Sequence, residues 1–224
     1  MNTLKLVIGN KNYSSWSLRP WFLLKNLGIE FDEELVYLYE DDTAEKLSPY
    51  FSNEQVPILI ETSVDTNEQT LQVWDTLAII ETITDKYPDL HGWPQNSNAR
   101  ALARTVSAEM HSSFMALRNA LPMNCRKHFP NHPIGLDVQQ DIDRIVTLWE
   151  YCVNKHGNDG PWLFGQFSGA DAMFAPIVLR FIGYDVKLSG ISADYVKMVS
   201  NNKYMQEWVE AGKKETHIIE SDEI

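Results

Sequence analysis

The sequence predicts a two-part molecule, an α/β half of βαβ then ββα order followed by an all-α half. Three observations predict it. Short β-like runs alternate with helical spacing up to about residue 87, a stretch rich in Pro, Gly and Asn follows at 88–96, and every longer apolar pattern beyond it recurs at three or four residues. The expected units are residues 1–87 and 97–224.

In order, residues 4–8 form an apolar run of strand length, and the polar loop 9–15 separates it from an apolar stretch at 16–27 that Gly28 should stop. Pro20 falls in the first turn of that helix, where its missing N–H costs little. Residues 31–39 read as β-like, 43–51 as irregular or helical, and 55–60 as the lead into another strand. Asp65, Thr66 and Asn67 supply turn chemistry between 58–60 and 71–74, two runs that read as a hairpin with a long loop. From Asp75 the spacing of Leu77, Ile80 and Ile83 is helical and ends near Tyr87 and Pro88. Beyond the linker, Leu102, Val106, Met110, Phe114, Leu117 and Leu121 predict one long amphipathic helix that stops at Pro122. Further helices are expected at 138–154, 171–184 and about 193–211, and the acidic tail 215–224 is expected to fray.

Composition removes several functions. With 224 residues, 44% apolar and 22% charged, the chain is of ordinary globular type. A formal charge of -12 argues against nucleic acid and anionic membrane surfaces as partners, because phosphate binding rests on Lys and Arg. Cys125 and Cys152 make neither a disulfide framework nor a CxxC pair, and His128, His132 and His156 lack metal-ligand spacing, so no metal is expected. The N-terminal apolar run is too short for a secretion signal and no run has membrane-spanning length, so a reducing, cytoplasmic setting is expected.

Three places could carry chemistry. Pro57 follows Val56 and precedes a strand, where an X-Pro bond can be cis and leave a backbone edge free, or be an ordinary trans bond. Asp75 and Thr76 open a helix whose positive end would receive a carboxylate, with Asp75 free to pair with an amino group; a plain N-cap role for Asp75 is the alternative. Ser14 and Ser15 lie before the first helix, where a hydroxyl could stabilise a ligand thiolate or simply cap the helix. A serine nucleophile lacks its G-x-S-x-G elbow.

Loop serine, Val56-Pro57 and Asp75-Thr76 stand in the order and at about the spacing of the glutathione site of the glutathione S-transferases. The stretch Ser14-Ser15-Trp16-Ser17-Leu18-Arg19 resembles the SSCSxR loop of bacterial, zeta-like members. The helix start at 75–81 and the Ser168-Gly169-Ala170-Asp171 box resemble further family motifs, so the resemblance covers essentially the whole chain. The box also reads directly as reciprocal N-capping. The resemblance implies a thioredoxin-like N-terminal domain with an all-helical C-terminal domain, the glutathione transferase fold, and a homodimer. It further implies that Ser14 or Ser15 donates to the glutathione sulfur, Val56 pairs with the cysteinyl unit with Gln55 beside it and Pro57 fixing the turn, and Asp75 with Thr76 holds the γ-glutamyl end.

Three departures qualify it. Trp16 stands where the zeta-like loop has cysteine, Gly183 falls where zeta-type isomerases carry arginine, and Asp75 replaces a longer Glu or Gln, which disfavour thioltransferase chemistry and maleylacetoacetate isomerisation and shorten one contact. The second substrate is expected between the domains, near Tyr13, Trp16, Glu109, His111, Ser112 and Phe114. His111 would serve there as acid or base, or else as a hydrogen-bonded structural residue. The expected function is conjugation of the glutathione thiolate to a small electrophile, a detoxification chemistry. Glutathione-dependent isomerase or peroxidase activity, or a non-catalytic scaffold of the same fold, are the alternatives.

Overall fold

The computed structural model describes residues 2–66, 68–157 and 160–224. Its first half is β1 (Asn2–Ile8), α1 (Ser15–Asn26), β2 (Asp32–Leu35), α2 (Thr43–Leu47), β3 (Ile58–Ser63), β4 (Gln69–Val73) and α3 (Thr76–Lys86). The strands form one sheet in the order β2-β1-β3-β4, with β1 parallel to β2 and antiparallel to β3, and β3 antiparallel to β4. The period-two side-chain alternation of β1 splits its residues between two cores. Leu4, Leu6 and Ile8 join the main core, while Val7 packs with Val36, Leu47, Ile58 and Ile60. The expected hairpin is β3–β4; of its turn residues, Asn67 lies outside the described residues.

Gly28 ends α1 as expected. It takes φ +69, Gly28 N–H donates to the Lys25 carbonyl at 3.2 Å and Ile29 N–H to that of Leu24 at 3.0 Å, which satisfies the last carbonyls of the helix.

The second half holds α4 (Ser97–Ser112), α5 (Met115–Ala120), α6 (Leu136–His156), α7 (Gly169–Gly183), α8 (Gly190–Ser200) and α9 (Lys203–Lys214). α7 is the central helix, packed on α1, α4 and α8, and its Phe174 and Phe181 share one core with Leu18 and Phe22 of α1. The capping box is present: Asp171 Oδ2 accepts from Ser168 N–H at 2.9 Å. Asp171 is fully buried and its Oδ1 also accepts from Leu163 N–H and Tyr195 O–H, each at 3.1 Å. Burial nevertheless pushes its carboxyl up to about 6. No helix among the described residues is long and apolar enough to cross a membrane.

Three expectations are corrected. The helix expected through Leu121 breaks at Ser113 and Phe114, where Phe114 takes φ 64 and still buries its ring in the core. The exposed polar groups of the break are met from elsewhere: Asp141 of α6 accepts from Leu117 N–H at 3.0 Å, and Arg118 donates to the carbonyls of Met110 and His111 at the end of α4. The helix expected over 193–211 is two, because Asn202 caps α9 by accepting from Tyr204 and Met205 N–H. The tail does not fray. Glu215 accepts from the N–H groups of Lys11 and Asn12 at 2.7 and 3.0 Å, Ile219 is buried, and Glu223 binds Asn124, Lys127 and Tyr13.

Candidate active site

The loop between β1 and α1 closes on itself, with the Asn10 carbonyl accepting from Tyr13 and Ser14 N–H at 3.1 and 2.7 Å. Ser14 is the N-cap of α1: its Oγ accepts from Ser17 N–H at 3.3 Å and donates to Ser17 Oγ at 2.8 Å, and Ser17 Oγ accepts from Gly9 N–H at 3.0 Å. Ser15 opens the helix. Its Oγ accepts from Arg180 Nη2 at 3.4 Å, and its hydroxyl proton has no acceptor among the described residues. Both hydroxyls therefore sit at the positive end of α1, and Ser15 is the one that also faces a guanidinium.

Val56 lies just beyond the β1–β3 ladder, which ends at Val7 and Ile58. It stands against the loop, since a Cβ at Gly9 would come within 3.2 Å of Val56 Cγ2. The Val56–Pro57 bond is cis, as is Trp74–Asp75. Pro57 is buried and Gln55 is exposed, its N–H donating to the Ser52 carbonyl at 3.2 Å.

Asp75 is indeed an N-cap. Its Oδ1 accepts from Leu77 and Ala78 N–H at 3.0 and 3.4 Å, and its Oδ2 contacts His111 Nε2. The Thr76 hydroxyl is buried and donates to the Trp16 carbonyl at 3.0 Å. That bond ties the N-terminus of α3 to the first turn of α1, so two positive helix ends meet there. With its hydroxyl engaged, what Thr76 offers a ligand is the peptide N–H of the first turn.

Of the second-substrate candidates, the structure brings Trp16 and His111 together, their rings edge-on at 5.4 Å. It does not bring the others. Tyr13 is buried under the tail, donating to Glu223 at 2.5 Å and accepting from Arg126 at 2.5 Å. Glu109 is held by Arg144 through bonds of 2.7 and 2.9 Å, Phe114 is core, and Ser112 is exposed and donates to the Ala108 carbonyl at 3.0 Å.

Arginines fill the place instead. The guanidinium carbons of Arg19 and Arg118 lie 4.3 and 4.7 Å from the Trp16 ring. Fully buried Arg19 donates to the carbonyls of Met173 and Ser15 at 2.9 and 3.3 Å, and burial, with Arg118 and Arg180 nearby, holds it well below the ordinary arginine value. Arg180 comes from α7 and donates to the Leu121 carbonyl at 2.8 Å; burial and Arg118 bring it down to about 10. The sequence signal for Arg180 was present, as the sole charged residue between Asp171 and Asp185. Arg118 had no such signal.

Two cavities of about 420 and 660 Å³ lie elsewhere, one beside His132 and Tyr184 and the other beside Trp21 and Phe31.

Residues 13–86 match the family model described as glutathione S-transferase, N-terminal domain. Among solved structures the chain is similar to a glutathione transferase homolog from Burkholderia gl BGR1 with bound glutathione, at 20% identity, 94% of this chain and 98% of that chain covered, and a TM-score of 0.67. It is similar to glutathione transferase Omega 1C from Trametes versicolor at 16% identity, 96% and 94% coverage and a TM-score of 0.67. It is similar to Ure2p in complex with glutathione at 17% identity, 93% coverage of each chain and a TM-score of 0.67. At these identities the likeness is one of fold. A search of curated proteins found no match.

Proposed function

We propose that this chain, whose residues 13–86 match the glutathione S-transferase N-terminal domain model and which as a whole has the glutathione transferase fold, binds reduced glutathione and directs the sulfur at a small electrophile. The observation that carries this reading is the Thr76–Trp16 hydrogen bond, which gathers the N-termini of α1 and α3, with Val56 standing against the loop that leads into α1. In this reading residues 1–87 are the glutathione-binding domain and residues 97–224 complete the cleft.

The γ-glutamyl carboxylate takes the first-turn N–H groups of α3, and Asp75 takes the ammonium group. The cysteinyl unit pairs with Val56, whose peptide N–H and C=O take no hydrogen bond among the described residues outside the sheet ladders. The sulfur lies at the start of α1, where helix dipole and serine hydroxyl favour the thiolate. Rate then comes from thiolate population and proximity, with no covalent protein intermediate. A homodimer belongs to the same proposal, supported by the exposed Phe51 packed edge-on to Trp74 at 5.8 Å. So does a cytoplasmic setting, where thiols such as Cys125 and Cys152, both free here, stay reduced.

Two observations favour the scaffold alternative: the Ser14 proton is engaged by Ser17, and Asp75 Oδ2 by His111. Calorimetric titration with glutathione decides between them together with turnover of an electrophile panel. Binding in the micromolar to millimolar range, weakened about tenfold by Asp75→Ala, supports the site. Loss of turnover in Ser15→Ala or Ser14→Ala assigns the thiol donor, whereas binding with unaltered turnover in both leaves catalysis without its serine. No binding by the wild type sinks the transferase reading.

A further inference from the structure

Buried cations without partners are costly, and the fold gathers two buried arginines, Arg19 and Arg180, with the half-buried Arg118. Among the described residues, no carboxylate lies within 4 Å of Arg19, Arg118 or Arg180; the ion pairs of arginine are those of Arg104, Arg126 and Arg144. Arg180 is only 6% exposed and its Nη1 is buried with no hydrogen-bond partner, as is Nε of Arg118. Arg180 Nη2 reaches Ser15 Oγ, whose own proton is uncommitted. Beyond the carbonyls they already bind, two guanidinium edges thus lie near the first turn of α1 with no ion-pair partner among the described residues, the charges of Asp141 and Asp222 reaching Arg118 and Arg180 only from beyond 4 Å.

We propose that Arg118 and Arg180 form an anion subsite that receives a carboxylate on the second substrate. Two N–H edges fit the two oxygens of a planar carboxylate, and such charge-assisted bonds are strong where water is scarce. The proposal rests on the glutathione reading for the identity of the first substrate. Under that reading the γ-glutamyl carboxylate is held at α3, and the peptide-binding groups come from the sheet half, whereas Arg118 and Arg180 come from α5 and α7. The arginines accordingly face the electrophile. Trp16, which sits against Arg118, supplies the apolar wall for its body.

The test is a chloronitrobenzoate against its methyl ester, in which the glutathione thiolate forms the C–S bond and chloride leaves. Each rate is divided by the uncatalysed rate with glutathione, because the ester is the more reactive ring. The wild type should prefer the acid by about tenfold in normalised kcat/KM, and Arg118→Met should abolish the preference. Equal treatment of acid and ester, or a preference that survives Arg118→Met, overturns the subsite.

Calorimetry with benzoate and benzamide, on protein without glutathione, covers the case in which neither electrophile turns over. Benzoate binding that benzamide does not share and Arg118→Met removes supports the subsite even where the glutathione titration fails and the transferase reading falls. Glutathione binding with no benzoate binding and no acid preference removes the subsite and leaves that reading standing. Arg180→Lys, which keeps the charge but loses the fork, guards against a folding defect in any single variant and should lower the acid preference without removing it.

Discussion

The loop ahead of α1 is held from two sides by opposite means. On the tail side, Glu215 accepts from the N–H groups of Lys11 and Asn12, Glu223 meets Tyr13, Asn124, Arg126 and Lys127, and Arg126 also donates to the Glu215 carbonyl at 2.5 Å. α9 closes against the same loop, and a Cβ at Gly212 would stand 3.0 Å from Asn12 N, a tight contact with backbone that the glycine avoids. On the helical side, Arg19, Arg118 and Arg180 crowd Trp16 and Ser15 and, among the described residues, have only carbonyl and hydroxyl oxygens as hydrogen-bond acceptors. A loop fixed by completed pairs on one face can present an incomplete set on the other. The difference separates residues that hold the loop in place from residues left with capacity for a ligand.

The largest expected effect is on the completed face. Glu215→Ala strands two peptide N–H groups beside a buried residue and removes the anion facing Arg126, and should cost about 2–4 kcal/mol in chemical denaturation. A loss below about 0.5 kcal/mol would mean that water replaces the tail readily and that its order contributes little to the loop.

Next comes pH. Burial raises the Glu223 carboxyl, but hydrogen bonds from Lys127, Tyr13, Asn124 and Arg126 outweigh it and hold the group at about 2, below its ordinary 4.5. A depressed carboxyl stabilises the fold fully above its unfolded value, and the contribution is lost as pH falls through about 4.5 towards about 2. Screening at a partly exposed site limits it to about 1 kcal/mol. Glu215 and Asp222, raised by burial, and Asp171, raised to about 6, act in the opposite sense and lose stability as pH rises. The informative quantity is therefore wild type minus Glu223→Gln in stability across that range, which should shrink on acidification; a constant difference would remove the charge from the explanation.

What the sequence made legible follows the same division between local and distant causes. The strand runs, the Gly28 stop and the Ser168–Asp171 box depend on neighbours in the chain, and each stands where local chemistry puts it. The break at Phe114 depends on Asp141 and Arg118, and the ordered tail depends on partners about 90 to 210 positions away, so apolar periodicity and acidic composition could not reveal them. Asn202 was a local signal passed over, a capping residue inside a pattern that otherwise reads as one helix. At the site, the loop serines and the openings of α1 and α3 were legible from capping chemistry. Tyr13 and Glu109 were not, because polar residues near a cleft in sequence can be consumed by partners such as Glu223 and Arg144.

The smallest expected effect is the one that bears hardest on the contrast. Arg118→Met gives up hydrogen bonds to the Met110 and His111 carbonyls and a contact with the Trp16 ring. It also removes a cation that depresses both Arg19 and Arg180, and a methionine covers much of the same apolar surface. These changes oppose one another, so stability in glutathione-free protein should stay within about 1 kcal/mol of wild type, with either sign allowed. Broken buried pairs behave otherwise, at about 3–5 kcal/mol. A loss of that size in Arg118→Met would mean that the arginine is already paired in the folded chain, and the incomplete face would then be as closed as the tail side.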